Sequence, residues 1–167
     1  GSTTDRTLAD RFADVVNVKD FGAVGDGVTD DTAAIQAALD SGRKSVYIPE
    51  GTYVISLAES NHTYSCLVLP DGVTFTGESK NSTVIKRLPS ERGADGILMV
   101  NKDYDTIGNY SAAGNIVLED FTITDGGATG YRSTGDLIGL GHAENVIIRR
   151  VHSGNHDQHF VDIAGCK

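Results

Sequence analysis

The sequence predicts an all-β fold, a parallel β-helix whose N-terminal end is covered by one capping α-helix. Three observations predict it: a single helical pattern near the N-terminus, only short β-rich runs after that pattern, and an internal repeat at a spacing of 30 residues. The 20 glycines among 167 residues also favour many turns over long helices. A chain of this length is sufficient for one domain with a sizeable core.

The first residues form a lead-in whose pattern differs from that of the β-rich remainder. Residues 1–16 carry Leu8 and Phe12 at a spacing that suits a short amphipathic helix or a packed arm. We therefore divide the chain into a lead-in at 1–16 and the coils of a β-helix at 17–167.

A glycine-rich turn occupies residues 22–27. Its three glycines resemble a cradle for nucleotide phosphates, but no Lys-Ser or Lys-Thr pair follows them and the expected strand–helix–strand sequel is missing. The sequence therefore predicts a tight turn that leads into a helix.

The segment from Thr29 to Leu39 is predicted as that helix. Acceptor side chains and two carboxylates stand at its start, where the first backbone N–H groups need partners. Ile35, Ala38 and Leu39 form one apolar face, and Ser41-Gly42 marks its end.

Short β-rich runs fill the rest of the chain. Hairpin signals are few, and Asp71-Gly72 is the clearest, so an antiparallel meander is not favoured. The predicted strands are 45–48, 52–56, 66–69, 73–76, 84–86, 97–100, 115–123, 137–140, 145–151 and 160–163.

The internal repeat decides between the remaining β architectures. Residues 115–123 align with residues 145–153, so that Asn falls on Asn and apolar residues fall on apolar residues at most inward positions. Stacked coils of about this length bury alternate side chains against one another. The open end of such a solenoid must be covered, and one helix before the first coils meets that need.

Charge and composition exclude several partners. The net charge of −9, without a basic run longer than two residues, argues against nucleic acid. The sequence contains no stretch of about 18 apolar residues, so it predicts no membrane span. Cys66 and Cys166 lie 100 positions apart and are interpreted as buried thiols.

The segment Val16–Leu39, continued by Val46–Tyr53, resembles the opening segment of the pectate-lyase-like superfamily. That superfamily includes phage tailspike depolymerases, polygalacturonase-like hydrolases and alginate epimerases. The resemblance implies a right-handed single-stranded parallel β-helix that handles carbohydrate.

Within the superfamily, the lead-in Arg6–Asp20 looks most like phage tail proteins. This implies a homotrimer on the virion that binds or cuts bacterial surface polysaccharide; a secreted protein is the alternative. Such proteins have more coils, so we expect the natural chain to continue beyond Lys167.

The densest polar cluster is His152–Asp162. In the outer groove where superfamily members hold sugar, Asp157 and Asp162 are candidate catalytic carboxylates, and His159 a candidate proton relay. Two alternatives remain open: turn residues that satisfy backbone groups, or a zinc site of three histidines. Those histidines are His152, His156 and His159.

Other polar residues offer weaker signals. Any two of seven further carboxylates could approach each other across stacked coils. Three tyrosines could stack on sugar rings. The carboxylates are Asp103, Asp105, Glu119, Asp120, Asp125, Asp136 and Glu144; the tyrosines are Tyr104, Tyr110 and Tyr131.

The first functional hypothesis is a glycan hydrolase of a phage tail, with no resident cofactor. A uronate lyase or epimerase is an alternative, and it would need Arg, Lys or a divalent cation such as calcium to stabilise the developing charge. Two further hypotheses are not enzymes. One is a structural or glycan-binding component without catalytic activity, and the other is a unit for folding and trimerisation. Because catalytic residues of this superfamily often lie on middle coils, this segment can be inactive even if its parent is an enzyme.

Overall fold

The computed structural model describes residues 7, 14–57, 65–91, 96–104, 113–126, 136–154 and 160–164. Three sheets dominate this part of the chain. Sheet A contains β1 (Val15–Asn17), β3 (Ser45–Ile48), β6 (Thr74–Gly77), β10 (Val117–Glu119) and β14 (Ile147–Arg149). Sheet B contains β2 (Asp26–Asp30), β4 (Gly51–Ile55), β7 (Thr83–Arg87), β11 (Thr122–Thr124) and β15 (His152–Ser153). Sheet C contains β5 (Ser65–Leu69), β8 (Ile97–Asn101), β12 (Ile138–Gly141) and β16 (Val161–Ala164).

The remaining elements are short. One α-helix, α1, spans Thr32–Leu39. Two 3₁₀ turns span Val18–Phe21 and Pro89–Glu91, and a small parallel pair is formed by β9 (Ala113–Gly114) and β13 (Ala143–Glu144).

The sheet topology is that of stacked coils. The chain passes from sheet A to sheet B to sheet C and then returns to sheet A, so that each full coil adds one strand to each sheet. In every described pair the neighbouring strands run parallel, for example β3 with β6 and β4 with β7. The prediction of an all-β fold with parallel sheets is confirmed.

The register of the last two coils reproduces the internal repeat. Val117 pairs with Ile147, and Thr122 pairs with His152, each at a spacing of 30 residues. However, the predicted strand 115–123 is divided into β10 and β11, and the predicted strand 145–151 contains only β14, with β15 beginning after it. The reason is a sharp corner at Asp120 and Arg150, whose φ angles of 63° and 53° lie in the left-handed region.

A second left-handed corner explains the aligned asparagines. Asn115 and Asn145 have φ angles of 62° and 54°, and asparagine adopts this conformation more readily than most residues. The Nδ2 atom of Asn145 donates to Oδ1 of Asn115 at 3.5 Å. One coil earlier, Gly72 (φ 69°) precedes β6, so the predicted hairpin signal belongs to a corner between two sheets.

The helix begins at Thr32, three residues later than predicted, because the preceding residues form β2. The two carboxylates at this point have different partners. Oδ1 of Asp30 accepts a hydrogen bond from the Thr32 backbone N–H at 3.0 Å, which satisfies one free donor of the first turn. Asp31 is buried and points back into the glycine-rich turn.

The glycine-rich turn is held by that buried carboxylate. Oδ1 of Asp31 accepts from the N–H of Val24 at 2.7 Å, and Oδ2 accepts from the N–H of Gly25 at 3.1 Å. Gly25 has a φ of 71°, and a Cβ there would lie 2.8 Å from the Tyr53 ring. Burial and, secondarily, the charge of Asp31 raise the pKa of Tyr53 to about 12. The turn thus binds an internal carboxylate, which agrees with the structural interpretation of its glycines.

Helix α1 contacts both the core and the edge of sheet C. Ile35, Ala38 and Leu39 are buried, as their predicted common face requires. On the neighbouring strand β5, the side chain of Gln36 accepts from the Val68 N–H at 2.9 Å and donates to the Val68 carbonyl at 3.1 Å. A helix side chain therefore satisfies the strand's backbone where another strand would otherwise pair.

The core consists of side chains stacked in register from coil to coil. Val46, Phe75 and Leu118 follow one another across sheet A, and all three are buried. Phe75 meets Phe121 edge to face, with the ring centroids 5.5 Å apart. Cys66 is buried, as predicted. Within the described residues, none of the helices is long and apolar enough to cross a membrane.

Replacing Asp31 with Asn should destabilise the protein by about 2 to 3 kcal/mol, because the amide can accept only one of the two backbone N–H groups at full strength. Urea denaturation followed by circular dichroism measures the change. Glu50→Gln removes a carboxylate at an exposed position and is the control. An Asp31→Asn protein as stable as the control would contradict the role assigned to this carboxylate.

Candidate functional site

Asp162, one of the predicted catalytic carboxylates, lies on β16 at the outer face of sheet C. Val161 pairs with Ile138 and packs against the core. Because successive side chains of a strand point to opposite faces, Asp162 points outward, beside Gly139 of β12.

A tyrosine from two coils earlier reaches this carboxylate. Tyr104 lies in the turn that comes after β8, and its hydroxyl donates to Oδ2 of Asp162 at 2.6 Å. The two residues are 58 positions apart in the chain. A bond to a charged carboxylate is stronger than one between neutral groups, so this contact fixes both side chains.

Two glycines of β12 make room for the tyrosine. A Cβ at Gly139 would lie 2.8 Å from Cε2 of Tyr104, and a Cβ at Gly141 would lie 2.5 Å from its backbone oxygen. Any larger residue at either position would displace Tyr104. Isolated glycines within a strand often mark such a close approach.

Asn101 fixes the turn from which Tyr104 projects. Its Nδ2 donates to the Gly141 carbonyl at 2.8 Å, and its Oδ1 accepts from the Gly141 N–H at the same distance. Asn101 is fully buried, and its own carbonyl accepts from the Tyr104 N–H at 3.0 Å. The turn is therefore joined to β12 by a pair of buried hydrogen bonds.

Most of the other predicted site residues are not among those that the structure describes. Asp157 and His159 lie outside the described residues, as does His156. His152 is exposed on β15, which belongs to sheet B. Among the described residues, no group of three His, Cys, Asp or Glu side chains is placed to hold a metal ion.

The sequence interpretation missed the partnership of Tyr104 with Asp162. It considered Tyr104 only as a surface for stacking on sugars. The available signal was the Gly-x-Gly pattern of Gly139 and Gly141 in an otherwise apolar strand, but that pattern does not identify what approaches the strand.

Two other predicted carboxylates, Glu119 and Asp120, are neutralised by arginines of the next coil. Glu119 bonds to Arg149 and, at 3.0 Å, to Arg150. Asp120 accepts two hydrogen bonds from Arg150, at 2.5 and 2.6 Å. The bond from Arg149, opposed by burial, lowers the pKa of Glu119, and the bond from Arg150 likewise lowers the pKa of Asp120. These carboxylates remain ionised and poorly suited to donate a proton.

The basic residue nearest to Tyr104 in sequence is also engaged. Lys102 forms an ion pair with Asp71, which raises the pKa of its ammonium group. Asp71 lies in the turn between β5 and β6, so the pair joins two successive coils. Asp105, Tyr110 and Tyr131 lie outside the described residues.

The family model described as rhamnogalacturonase A/epimerase, pectate lyase-like, matches residues 15–159. The chain belongs to this family. The predicted resemblance to the pectate-lyase-like superfamily is therefore confirmed.

Curated relatives come from two kinds of protein. The mannuronan C5-epimerase AlgE4 of Azotobacter vinelandii is 38% identical over 150 residues, covering 81% of this chain and 25% of the epimerase. The pre-neck appendage protein of Bacillus phage B103 is 35% identical over 158 residues, covering 89% of this chain and 16% of the phage protein. The chain thus spans a quarter or less of the length of these two relatives.

Solved structures show the same two similarities. The AlgE4 A-module superposes with a TM-score of 0.65 at 34% identity, covering 82% of this chain and 37% of that one. The pre-mature gene product 12 of bacteriophage phi29 superposes with a TM-score of 0.71 at 30% identity, covering 90% of this chain and 19% of that one.

Gly139→Ala should destabilise the protein by about 1 to 3 kcal/mol, because the added methyl group overlaps the Tyr104 ring. In a Tyr104→Ala background the overlap with the ring disappears and only the close approach to Cδ1 of Ile97, at 2.9 Å, remains, so the same glycine change should cost at least about 1 kcal/mol less. Urea denaturation of the two single variants and the double variant measures this coupling. Additive effects would show that the ring does not lie against Gly139.

Arg150→Gln should lower the melting temperature at pH 7 and have less effect in acid. Ionised carboxylates with lowered pKa values contribute stability that is complete above their unfolded-state values, here 4.5 for Glu119 and 3.8 for Asp120. The difference from wild type should therefore shrink as the pH falls below those values. Calorimetry from pH 7 to pH 3 measures it, with the exposed Arg43→Gln as control. A difference independent of pH would contradict the proposed ion pairs.

Proposed function

We propose that this chain belongs to a phage tail appendage protein that acts on polysaccharide at the bacterial surface. One observation carries the proposal: a phage appendage protein matches 89% of the chain, and a mannuronan epimerase matches 81% of it. In this proposal the protein is located on the virion and its parent assembles as a homotrimer.

The proposed architecture is a right-handed single-stranded β-helix, with a lead-in at 1–16 and coils at 17–167. Helix α1 caps the first coil. The hydrogen bonds of Gln36 to Val68 support this role, because they satisfy backbone groups on the side of β5 that faces away from β8.

The proposed reaction is glycan hydrolysis on the outer face of sheet C. Asp162 and Asp157 would serve as general acid and as base or nucleophile, and His159 would relay a proton. The outward direction of Asp162 and its bond to Tyr104 support the choice of this face. The sequence position of Asp157 and His159 just before β16 is compatible with it.

Uronate epimerisation or lysis is a second candidate, favoured by the 38% identity to a mannuronan epimerase. That chemistry removes a proton beside a carboxylate and needs a cation or basic side chain to stabilise the charge. A third candidate is a non-catalytic, glycan-binding role. It is compatible with the 35% identity to a phage appendage protein.

The test is incubation with capsule, O-antigen and uronate polysaccharides, of this chain and of a longer chain extended through further coils. Reducing ends report hydrolysis, absorbance near 235 nm reports lysis, and proton NMR reports epimerisation. We expect reducing ends from at least one bacterial surface glycan, and their loss in Asp157→Asn and Asp162→Asn if the chemistry lies in this segment. If neither chain binds or changes any glycan, the proposal is wrong.

A further inference from the structure

We propose that Arg149 binds an anionic group of an acidic glycan, a uronate carboxylate or a sugar phosphate, on the outer face of sheet A. This site is separate from the face of sheet C that carries Asp162, and it requires no reaction there. Only the choice of a glycan as the carrier of the anion rests on the proposed function. Three observations support the site: the hydrogen bonds of the guanidinium group, the contacts that fix it, and the side chains that share its row.

The side chain of Arg149 points away from the core. Its neighbour on β14, Ile148, packs against the core and pairs with the buried Leu118 of β10. Because successive side chains of a strand point to opposite faces, Arg149 stands on the outer face of sheet A. Its side chain is 55% exposed, so a ligand can approach the guanidinium group from solvent.

The guanidinium group of Arg149 is bound along one side. Its Nε atom donates to Oε2 of Glu119, and within the described residues its two terminal amino groups donate no hydrogen bond. A guanidinium group is planar and holds its N–H donors in a fixed fork, which matches a carboxylate or a phosphate through two parallel bonds. The terminal amino groups of Arg149 therefore suit an anion that approaches from solvent.

Glu119 fixes Arg149 because it is itself held from two other directions. The side chain of Glu119 is 11% exposed, and its Oε1 accepts from the Thr76 hydroxyl of the preceding coil at 3.3 Å. Its Oε2 also accepts from Nη2 of Arg150 at 3.0 Å. Asp120 in turn binds Arg150 through both carboxylate oxygens. The fork is thus oriented before a ligand arrives, which lowers the entropic cost of binding.

The charges of this cluster cancel, since Glu119 and Asp120 form ion pairs with Arg149 and Arg150. The whole chain carries a net charge of −9, so an acidic glycan is repelled at long range and has to be recognised by bonds at short range. Arg149 meets that need better than Arg150, because Arg150 already donates from Nε and Nη2 to carboxylates.

The other side chains of the row offer contacts for the neutral part of a glycan. Tyr47 pairs with Thr76, which pairs with Glu119, which pairs with Arg149. Neighbouring strands lie about 4.8 Å apart, so Tyr47 stands about 14 Å from Arg149 along the row. The half-buried Tyr47 offers a ring on which a sugar can stack. A short acidic oligosaccharide can therefore place its anion on Arg149 and a sugar ring on Tyr47.

The experiment follows the Nε–H signal of Arg149 in proton–nitrogen correlation NMR spectra of this chain. Loss of the signal in Arg149→Gln and Arg149→Lys assigns it. The probes are an oligogalacturonate, a phosphorylated maltooligosaccharide and the same maltooligosaccharide without phosphate. Calorimetry with these probes gives the affinity of each variant, and thermal unfolding establishes that each variant is folded. The controls are Arg43→Gln, at an exposed position before β3, and Asp162→Asn on sheet C.

We expect the Arg149 signal to shift with at least one anionic probe, which identifies the anion, and to stay in place with the unmodified oligosaccharide. Arg149→Gln should weaken binding of that anionic probe about tenfold. Arg149→Lys keeps the charge but loses the fork, so it should weaken binding about threefold to tenfold. Tyr47→Leu should weaken it about threefold. Both controls should bind as wild type does.

A purely structural role of the ion pairs predicts something else: Arg149→Gln would lower the melting temperature and leave the affinity for the anionic probe unchanged. That result, or an Arg149 signal that responds to no anionic probe, would reject the site and leave the proposed reaction on sheet C standing. Loss of anionic binding in Asp162→Asn instead would place the ligand on sheet C and overturn the inference. If the Arg149 signal responds while no glycan is cleaved, lysed or epimerised, the site stands and the proposed reaction fails.

Discussion

The structure depends on the hydrogen bonds that each strand makes to the coil on either side of it. In a stack of parallel strands, the backbone groups of one coil are satisfied by its neighbours, so a coil that lacks a neighbour must find a substitute. At β5 that substitute is the side chain of Gln36, which bonds to both backbone groups of Val68. The buried carboxylate of Asp31 then holds the preceding turn against the start of the helix.

Stacking also gathers the candidate site from distant parts of the chain. Neighbouring strands of a sheet lie about 4.8 Å apart, so side chains on successive coils come within contact distance whatever their separation in sequence. Tyr104 reaches Asp162 across the coil that lies between them, and it can do so because that coil carries Gly139 there. The inter-coil bonds that stabilise the fold therefore also position the pair.

The carboxylates that lie next to Arg149 and Arg150 form ion pairs with these arginines. Arg149 and Arg150 bind Glu119 and Asp120 at the corner between sheets A and B. Sheet C differs because its strands carry a single charged side chain, Asp162. This contrast separates the carboxylates that pair with arginines from Asp162, which accepts a hydrogen bond from the Tyr104 hydroxyl.

The sequence by itself determined the parallel coils, the helix and most strands, because alternation, capping residues and the repeat of 30 are local signals. It also determined the position of Asp162 on a strand. Only the tertiary structure decided that Asp120 and Arg150 form corners, that Asp31 binds the glycine turn, and that Tyr104 bonds to Asp162. The loops of successive coils differ in length, so spacing in the sequence does not show that residues 58 positions apart meet. The packing of the coils sets the register that joins them.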